Sequence, residues 1–312
     1  MIHRTDAAVV PPPGAHGGDA HRLARALGVP LDSIVDLSVS TNPCAPDITE
    51  LVARHARVVR RYPDATEATD ALADALGVDA GRVVLTNGGA EAIALVASEL
   101  PAGWVEGPEF SLYARHLTTM DERAPRWRSN PNNPTGALAA PADRAGVWDE
   151  AFYALATGHW TRGDAEHGAV VVGSLTKLFA CPGLRIGYVL APDPALAQRV
   201  AARQPEWSVG ALAVALVPEL LARAVLDTWA RTIAELRSDL VSLLHAHGVV
   251  LDPSDANFVL VRDTPGLRDH LGARGVLVRD ASSFGIADGV RIAVPSERDL
   301  TCLRDALTGW PS

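Results

Sequence analysis

Apolar and polar positions alternate between two periods along the middle of the chain. From Ala68 to Leu76 apolar residues recur at helical spacing, Arg82–Thr86 (RVVLT) is a short apolar run of strand character, and Gly88-Gly89 interrupts it before Ala90–Leu100 returns to the helical period. Two further runs, Ala169–Gly173 (AVVVG) and Arg185–Leu190 (RIGYVL), predict neighbouring strands. The first is apolar throughout, as a parallel strand covered on both faces by helices should be. This punctuation predicts an α/β fold built on a mostly parallel, doubly wound sheet.

The ends of the chain read differently. The segment to about Pro46 is rich in Pro and Gly with too few apolar residues for a core of its own, and predicts an arm (1–46) lying over the rest. Beyond the large domain (47–217), an amphipathic stretch from Pro218 to His247 predicts a helix with Gly248 as its cap. Strand-like runs at Asn257–Arg262, Gly275–Arg279 and Gly289–Val294 complete a smaller α+β domain (218–312). His245 and His247 are metal ligands by type, but basic side chains in a last helical turn also suit the helix dipole, and a metal site needs further ligands.

Composition narrows the function classes. With 28 Lys+Arg against 37 Asp+Glu the net charge is −9, and the largest basic run is only Arg54–Arg61, which argues against binding nucleic acid. Three cysteines, Cys44, Cys181 and Cys302, stand far apart with no paired spacing, which predicts a reducing, cytoplasmic setting. The amino terminus lacks an apolar leader core, and the longest apolar stretch, Val209–Val217, is too short to span a bilayer; no export and no membrane are expected.

Three segments at the ends of predicted strands carry the chemistry, where ligands of open α/β sheets bind. Thr86-Asn87-Gly88-Gly89-Ala90-Glu91 runs from strand through a glycine turn into a helix start, whose free amides suit a phosphate, although such turns also occur without any ligand. Asn130-Pro131-Asn132-Asn133-Pro134-Thr135-Gly136 reads by itself as a rigid turn, followed by the acidic pair Asp149-Glu150. Ser174-Leu175-Thr176-Lys177 follows the AVVVG strand, with Arg185 eight positions beyond the lysine. Together they supply what pyridoxal phosphate requires: an amine for its aldehyde, a carboxylate for its ring nitrogen, and hydroxyls, amides and an arginine for its phosphate.

With these motifs, and G-L-R-I-G-Y after the lysine, the chain resembles the fold-type I pyridoxal-phosphate enzymes of the class I/II aminotransferase family. The resemblance runs from His16 to about Leu307. It implies that Lys177 is the Schiff-base lysine and the proton-transfer group, that Asp149 pairs with the ring nitrogen, and that Asn133 donates to the ring oxygen. It implies further that Gly89, Ala90, Ser174, Thr176 and Arg185 hold the phosphate and that Tyr113 stacks on the ring. Tyr62 would reach the phosphate of a neighbouring subunit, so a homodimer with shared active sites is expected.

Within the family, His16-Gly17-Gly18-Asp19 and Asp36–Pro43 are similar to the arm of threonine-phosphate decarboxylases of cobalamin biosynthesis, with histidinol-phosphate aminotransferases as near relatives. His16, Gly17 and Ser40 are then substrate contacts of the arm; Ser40 stands where many relatives carry asparagine or glycine. Phe152 replaces the tyrosine that aminotransferases carry after D-E-A, Arg279 matches an arginine that grips a substrate phosphate, and Arg291 one that binds a substrate carboxylate. The expected activity is decarboxylation of L-threonine O-3-phosphate, a small phosphorylated amino acid. Transamination of histidinol phosphate or a related amine, and a cofactor-binding protein with little turnover, are the alternatives. The two reactions differ in which Cα bond lies perpendicular to the cofactor ring, a matter of substrate pose. The intervals Tyr113–Asn133 (133 − 113 = 20) and Asn133–Asp149 (149 − 133 = 16) are short for the family, which predicts a lost strand or helix on that flank.

Overall fold

The computed structural model describes residues 10–311 and sorts the strands into two principal sheets. In chain order the strands are β1 (Val35–Leu37), β2 (Val83–Asn87), β3 (Ala102–Gly103), β4 (Thr119–Met120), β5 (Trp127–Ser129), β6 (Val147–Asp149), β7 (Val170–Gly173), β8 (Ile186–Leu190), β9 (Phe258–Val261), β10 (Val276–Asp280) and β11 (Val290–Ala293). The larger sheet has the order β2-β8-β7-β6-β5; β5, β6 and β7 run parallel, and β8 lies antiparallel between β7 and β2. Alternate residues face opposite cores: Val171, Ile186 and Leu190 join Leu72 and Leu216 on one side, while Val170, Val172 and Val189 join Ile93 and Val96 on the other. Both faces are covered, which is why these strands read as unbroken apolar runs.

For the flank beyond β5 the sequence predicts a lost strand or helix. A parallel bridge between Trp104 and Arg126 leads from β5 to the two-residue pair β3 and β4, of which Thr119 and Met120 are exposed. Strands this short leave no periodic signal. The crossover from β5 to β6 lacks a helix, and residues 137–146 form a loop. Arg162 holds that loop by donating through Nη2 to the carbonyls of Ala140, Pro141 and Asp143 at 3.0–3.2 Å, and Arg128 pairs with Asp143 at 2.7 Å. Both guanidiniums lie over the buried Trp148 indole, at 4.8 and 5.7 Å from its centroid. Arginine stems and loop together shield a face that a crossover helix usually covers.

The second sheet has the order β1-β10-β11-β9, so the amino-terminal arm supplies an edge strand, parallel to β10 with Val35 opposite Val276. The helical stretch predicted from Pro218 is two helices, Ala211–Leu221 and Leu226–Ala246, parted by residues 222–225. The second passes from one core to the other: Trp229 and Ile233 pack with the larger sheet, Leu236, Leu240 and Leu244 with the smaller. It ends before Gly248, whose φ of +71° suits glycine, and His247 Nδ1 lies 2.9 Å from the Leu243 carbonyl oxygen. Among the described residues no helix is long and apolar enough to cross a membrane.

Candidate active site

The parallel strands β2, β6 and β7 end at one edge of the large sheet, and the predicted chemistry collects there. The helix Gly88–Glu99 starts directly at the end of β2 with its first amides free. Its position depends on Gly187 of β8: a Cβ there would lie 2.5 Å from the Gly88 carbonyl carbon and 2.6 Å from the Gly89 nitrogen, so only glycine lets strand and helix start meet this closely. Arg185 rests its guanidinium on Gly88, where a Cβ would come within 2.5 Å of Nη2. A Cβ on Gly89 would lie 3.8 Å from the Ser174 Cβ. The helix start at Gly88–Ala90, Ser174 and Arg185 therefore lie together at one place. Thr176 does not join them, because its hydroxyl accepts from the Ile186 amide at 2.9 Å and donates to the Ile186 carbonyl at 3.0 Å. It fastens the lysine turn to β8.

Lys177 sits on the one-turn helix Leu175–Leu178 after β7. The arm clamps this turn: the Asn42 amide donates to the Lys177 carbonyl and Asn42 Nδ2 to the Leu178 carbonyl, both at 3.0 Å. Burial, reinforced by Arg291, Arg279 and Arg185 and opposed by Asp36, lowers the amine to about 8. Lowered this far, the amine is neutral in a far greater fraction near neutral pH than an exposed lysine, as a nucleophilic lysine needs. Asp149 ends β6, with Oδ2 accepting from the Tyr113 hydroxyl at 2.7 Å and Oδ1 from the Ala151 amide at 3.0 Å. Burial pushes this carboxyl up, against those two bonds and the charge of Lys177.

Tyr113 requires a correction. The sequence reading stacks it on a cofactor ring, but its own ring is buried in the core against Trp127, centroids 5.9 Å apart, and its hydroxyl is spent on Asp149. The aromatic ring on the open side is Phe110, half-buried, 5.7 Å from the His16 ring and 5.9 Å from the Arg279 guanidinium. The arm arrives over it. Gly17 packs so closely that a Cβ would lie 2.2 Å from the Ser38 carbonyl oxygen, and the Gly18 amide donates to Ser38 Oγ at 2.8 Å. Ser40, read as a substrate contact, has no exposed surface, its hydroxyl has no partner, and its carbonyl accepts from Asn257 Nδ2 at 3.0 Å. Tyr62 is 78% exposed, stacked on Trp207 at 4.5 Å, and takes no part in the site of its own chain.

Arg279 and Arg291 face each other across β10 and β11. They are 7% and 3% exposed, and each lies over an aromatic ring: Arg279 over Phe284 at 4.3 Å, Arg291 over Phe258 at 4.6 Å. Arg291 Nη1 donates to Asn133 Oδ1 at 2.6 Å, Arg279 reaches only Ser283 Oγ at 3.4 Å, and both Nε atoms are buried without partners. Among the described residues neither has a carboxylate within ion-pair distance. Burial lowers Arg279 to about 10, and burial with the charge of Arg279 holds Arg291 well below its ordinary value. Like charges placed opposite one another in a dry site are costly unless an anion joins them.

Sequence reasoning missed three participants: Asn42, which ties the arm to the lysine turn; Phe110; and Glu109, a buried carboxyl behind Asn133. Phe110 and Glu109 stand beside the tyrosine that was singled out, and nothing in their spacing separates a wall residue from a buried support.

A buried amine of lowered basicity, a recessed carboxylate and a helix-start anion cradle define a site for a phosphorylated aldehyde cofactor, and pyridoxal phosphate fits these donors. The aminotransferase class I and II family model matches residues 127–307, and the chain belongs to that family of pyridoxal-phosphate enzymes. It is 29% identical to the threonine-phosphate decarboxylase of Salmonella typhimurium over 356 positions, covering 95% of this chain and 97% of the relative. It is 25% identical to histidinol-phosphate aminotransferase 1 of Dechloromonas aromatica, covering 91% and 92%. The solved histidinol-phosphate aminotransferase of Sinorhizobium meliloti in complex with pyridoxal-5'-phosphate superposes with a TM-score of 0.78 over 92% of this chain and 93% of that one, at 19% identity, and so shares the fold.

Proposed function

We propose that the enzyme decarboxylates a small phosphorylated amino acid, L-threonine O-3-phosphate, for the corrinoid side chain, in the cytoplasm and as a homodimer. The observation that carries this reading is the buried pair Arg279 and Arg291, two cations without protein counter-charges beside the Lys177 amine. A substrate with a phosphate at one end and a carboxylate at the other neutralises both. The similarity to threonine-phosphate decarboxylase over nearly the whole chain supports the same choice.

Bound pyridoxal phosphate supplies an electron sink for a breaking Cα bond. The chain's residues do the rest. The Gly89 and Ala90 amides, Ser174 and Arg185 would hold the cofactor phosphate, Asp149 would set a negative charge toward the ring nitrogen, and Asn133 Nδ2 would donate to the ring oxygen. Arg291, braced by Asn133, orients the substrate carboxylate, and Arg279 grips its phosphate with His16 and Gly17 of the arm closing above. Lys177 moves the proton at the α-carbon. Phe152 has no hydroxyl to offer and instead packs edge-on against Phe258, the ring beneath Arg291, at 5.1 Å. The exposed Tyr62–Trp207 pair supports a second copy covering that surface and sharing Tyr62 with its neighbour's site.

Histidinol-phosphate transamination is the second reading, favoured by the similarity to aminotransferases of that name. Incubation with L-threonine O-3-phosphate, with and without 2-oxoglutarate, separates them. Carbon dioxide and aminopropanol phosphate formed without a keto acid support decarboxylation. Product that forms only with the keto acid, from histidinol phosphate, overturns it, and silence with every phosphorylated amine points to a cofactor-binding protein.

A further inference from the structure

Behind the Asn133 turn lies a carboxyl group that the proposed reaction does not use. Glu109 is 8% exposed, accepts from the Ser129 backbone amide at 3.1 and 3.2 Å through its two oxygens, and is in close hydrogen-bond contact with the Ser129 hydroxyl. Ser129 Oγ also accepts the Asn133 amide at 2.7 Å and faces the Tyr113 phenol. Tyr113 in turn donates to Asp149. Glu109 and Asp149 thus each hold one hydroxyl, Ser129 and Tyr113 respectively, and the two hydroxyls face each other. The groups facing Glu109 are Ser129 from β5, Asn132 from the turn, Asp149 from β6 and the Tyr113 phenol, and among the described residues no cation pairs with it.

We propose that Glu109 is a positioning residue at the outer end of this chain, and that its protonation state sets how strongly Asp149 holds a proton on the cofactor ring nitrogen. The proposal rests on the reading that Asp149 faces that nitrogen. Hydroxyl chains are directional. With Glu109 protonated, its hydroxyl donates to Ser129, Ser129 to Tyr113 and Tyr113 to Asp149, so every donor points at the Asp149 carboxylate and withdraws charge from it. With Glu109 ionised, Ser129 turns its hydroxyl to Glu109, Tyr113 loses that support, and a second negative charge lies near Asp149. Both changes strengthen the hold on a ring-nitrogen proton. Burial, with Asp149 adding to it, brings Glu109 to about 7, so the changeover falls in the working pH range. The sign is unusual: the ring nitrogen becomes more firmly protonated as pH rises from 6 to 8.

The test is nitrogen NMR of the protein loaded with ring-¹⁵N pyridoxal phosphate, titrated from pH 5.5 to 8.5. In the wild type the resonance should move toward the protonated limit with a midpoint near 7. In Glu109→Gln, which stays neutral, it should remain at the low-pH position throughout. In Tyr113→Phe, which leaves Glu109 in place and cuts the chain, the dependence on pH should shrink. A wild-type resonance that is flat, or moves the other way, overturns the proposal without any variant, and so does a wild-type-like titration in Glu109→Gln. Asp149→Asn separates this failure from failure of the underlying reading: if it leaves the resonance unchanged, Asp149 does not face the ring nitrogen.

Discussion

Gly187→Ala tests the anion cradle without touching any group that would contact the cofactor. The added methyl would stand 2.5 Å from the Gly88 carbonyl carbon and 2.6 Å from the Gly89 nitrogen, against ordinary contacts of 3.4–4 Å, and both atoms are backbone that no rotamer change can clear. The start of the helix Gly88–Glu99 must therefore back away from β8 by about 1 Å, which takes amide–phosphate bonds of about 2.9 Å out of hydrogen-bonding range. Bonds to a charged group contribute about 1.5–3 kcal/mol each, so losing one weakens cofactor binding by about 1.5–3 kcal/mol, roughly 10- to 150-fold, and losing two by more. Overpacking costs about 1–3 kcal/mol of stability besides. The measurement is the dissociation constant for pyridoxal phosphate, from absorbance titration of folded protein, beside a thermal melt. Gly183→Ala is the control, since a Cβ there meets nothing within 4 Å. Wild-type affinity in Gly187→Ala would show that the phosphate does not sit at this helix start.

Three other outcomes are expected. Lys177→Ala should abolish the visible absorption of the cofactor-loaded protein, and an unchanged spectrum would sink the assignment of the amine. Because Lys177 is lowered to about 8, the apo protein holds it mostly charged at pH 6 and mostly neutral at pH 9. The rate of cofactor capture in stopped-flow should climb through pH 8 and level off above it, whereas a climb centred on pH 10 or higher contradicts the buried, arginine-flanked setting. Arg279→Ala should raise KM for phosphorylated substrates about 10- to 100-fold with little change for their dephosphorylated analogues, and equal loss for both would refute a phosphate grip.

What the sequence made legible follows from which interactions are local. Strands buried on both faces announce themselves as apolar runs, and β7, β8 and β9 lie within a residue or two of their predicted ends. Lys177, Asp149 and the Gly88-Gly89 turn stand at or next to strand ends, and it was their combination, with the family resemblance, that marked them. Tyr113 was misplaced because motif position does not tell which of two aromatics three residues apart points inward; packing against Trp127 decides that. β3 and β4 went unseen because two residues have no period, and Glu109 because its role comes from Ser129, twenty positions away. The shortened stretch was visible as missing length, and the structure has a loop there in place of the helix that joins most parallel strands.

The pairing of β1 with β10 joins residues 276 − 35 = 241 positions apart, at nearly opposite ends of the chain. On a ribosome, the larger sheet has all its strands by Leu190, while the arm must wait until β10 has emerged. The half of the site made by the larger sheet can thus be in place early, whereas Asn42 and the His16 turn gain their anchoring strand only near the end of synthesis. Completeness of the chain is thereby built into activity: a product truncated before Val276 keeps its lysine but lacks the partner strand that brings the arm down over it.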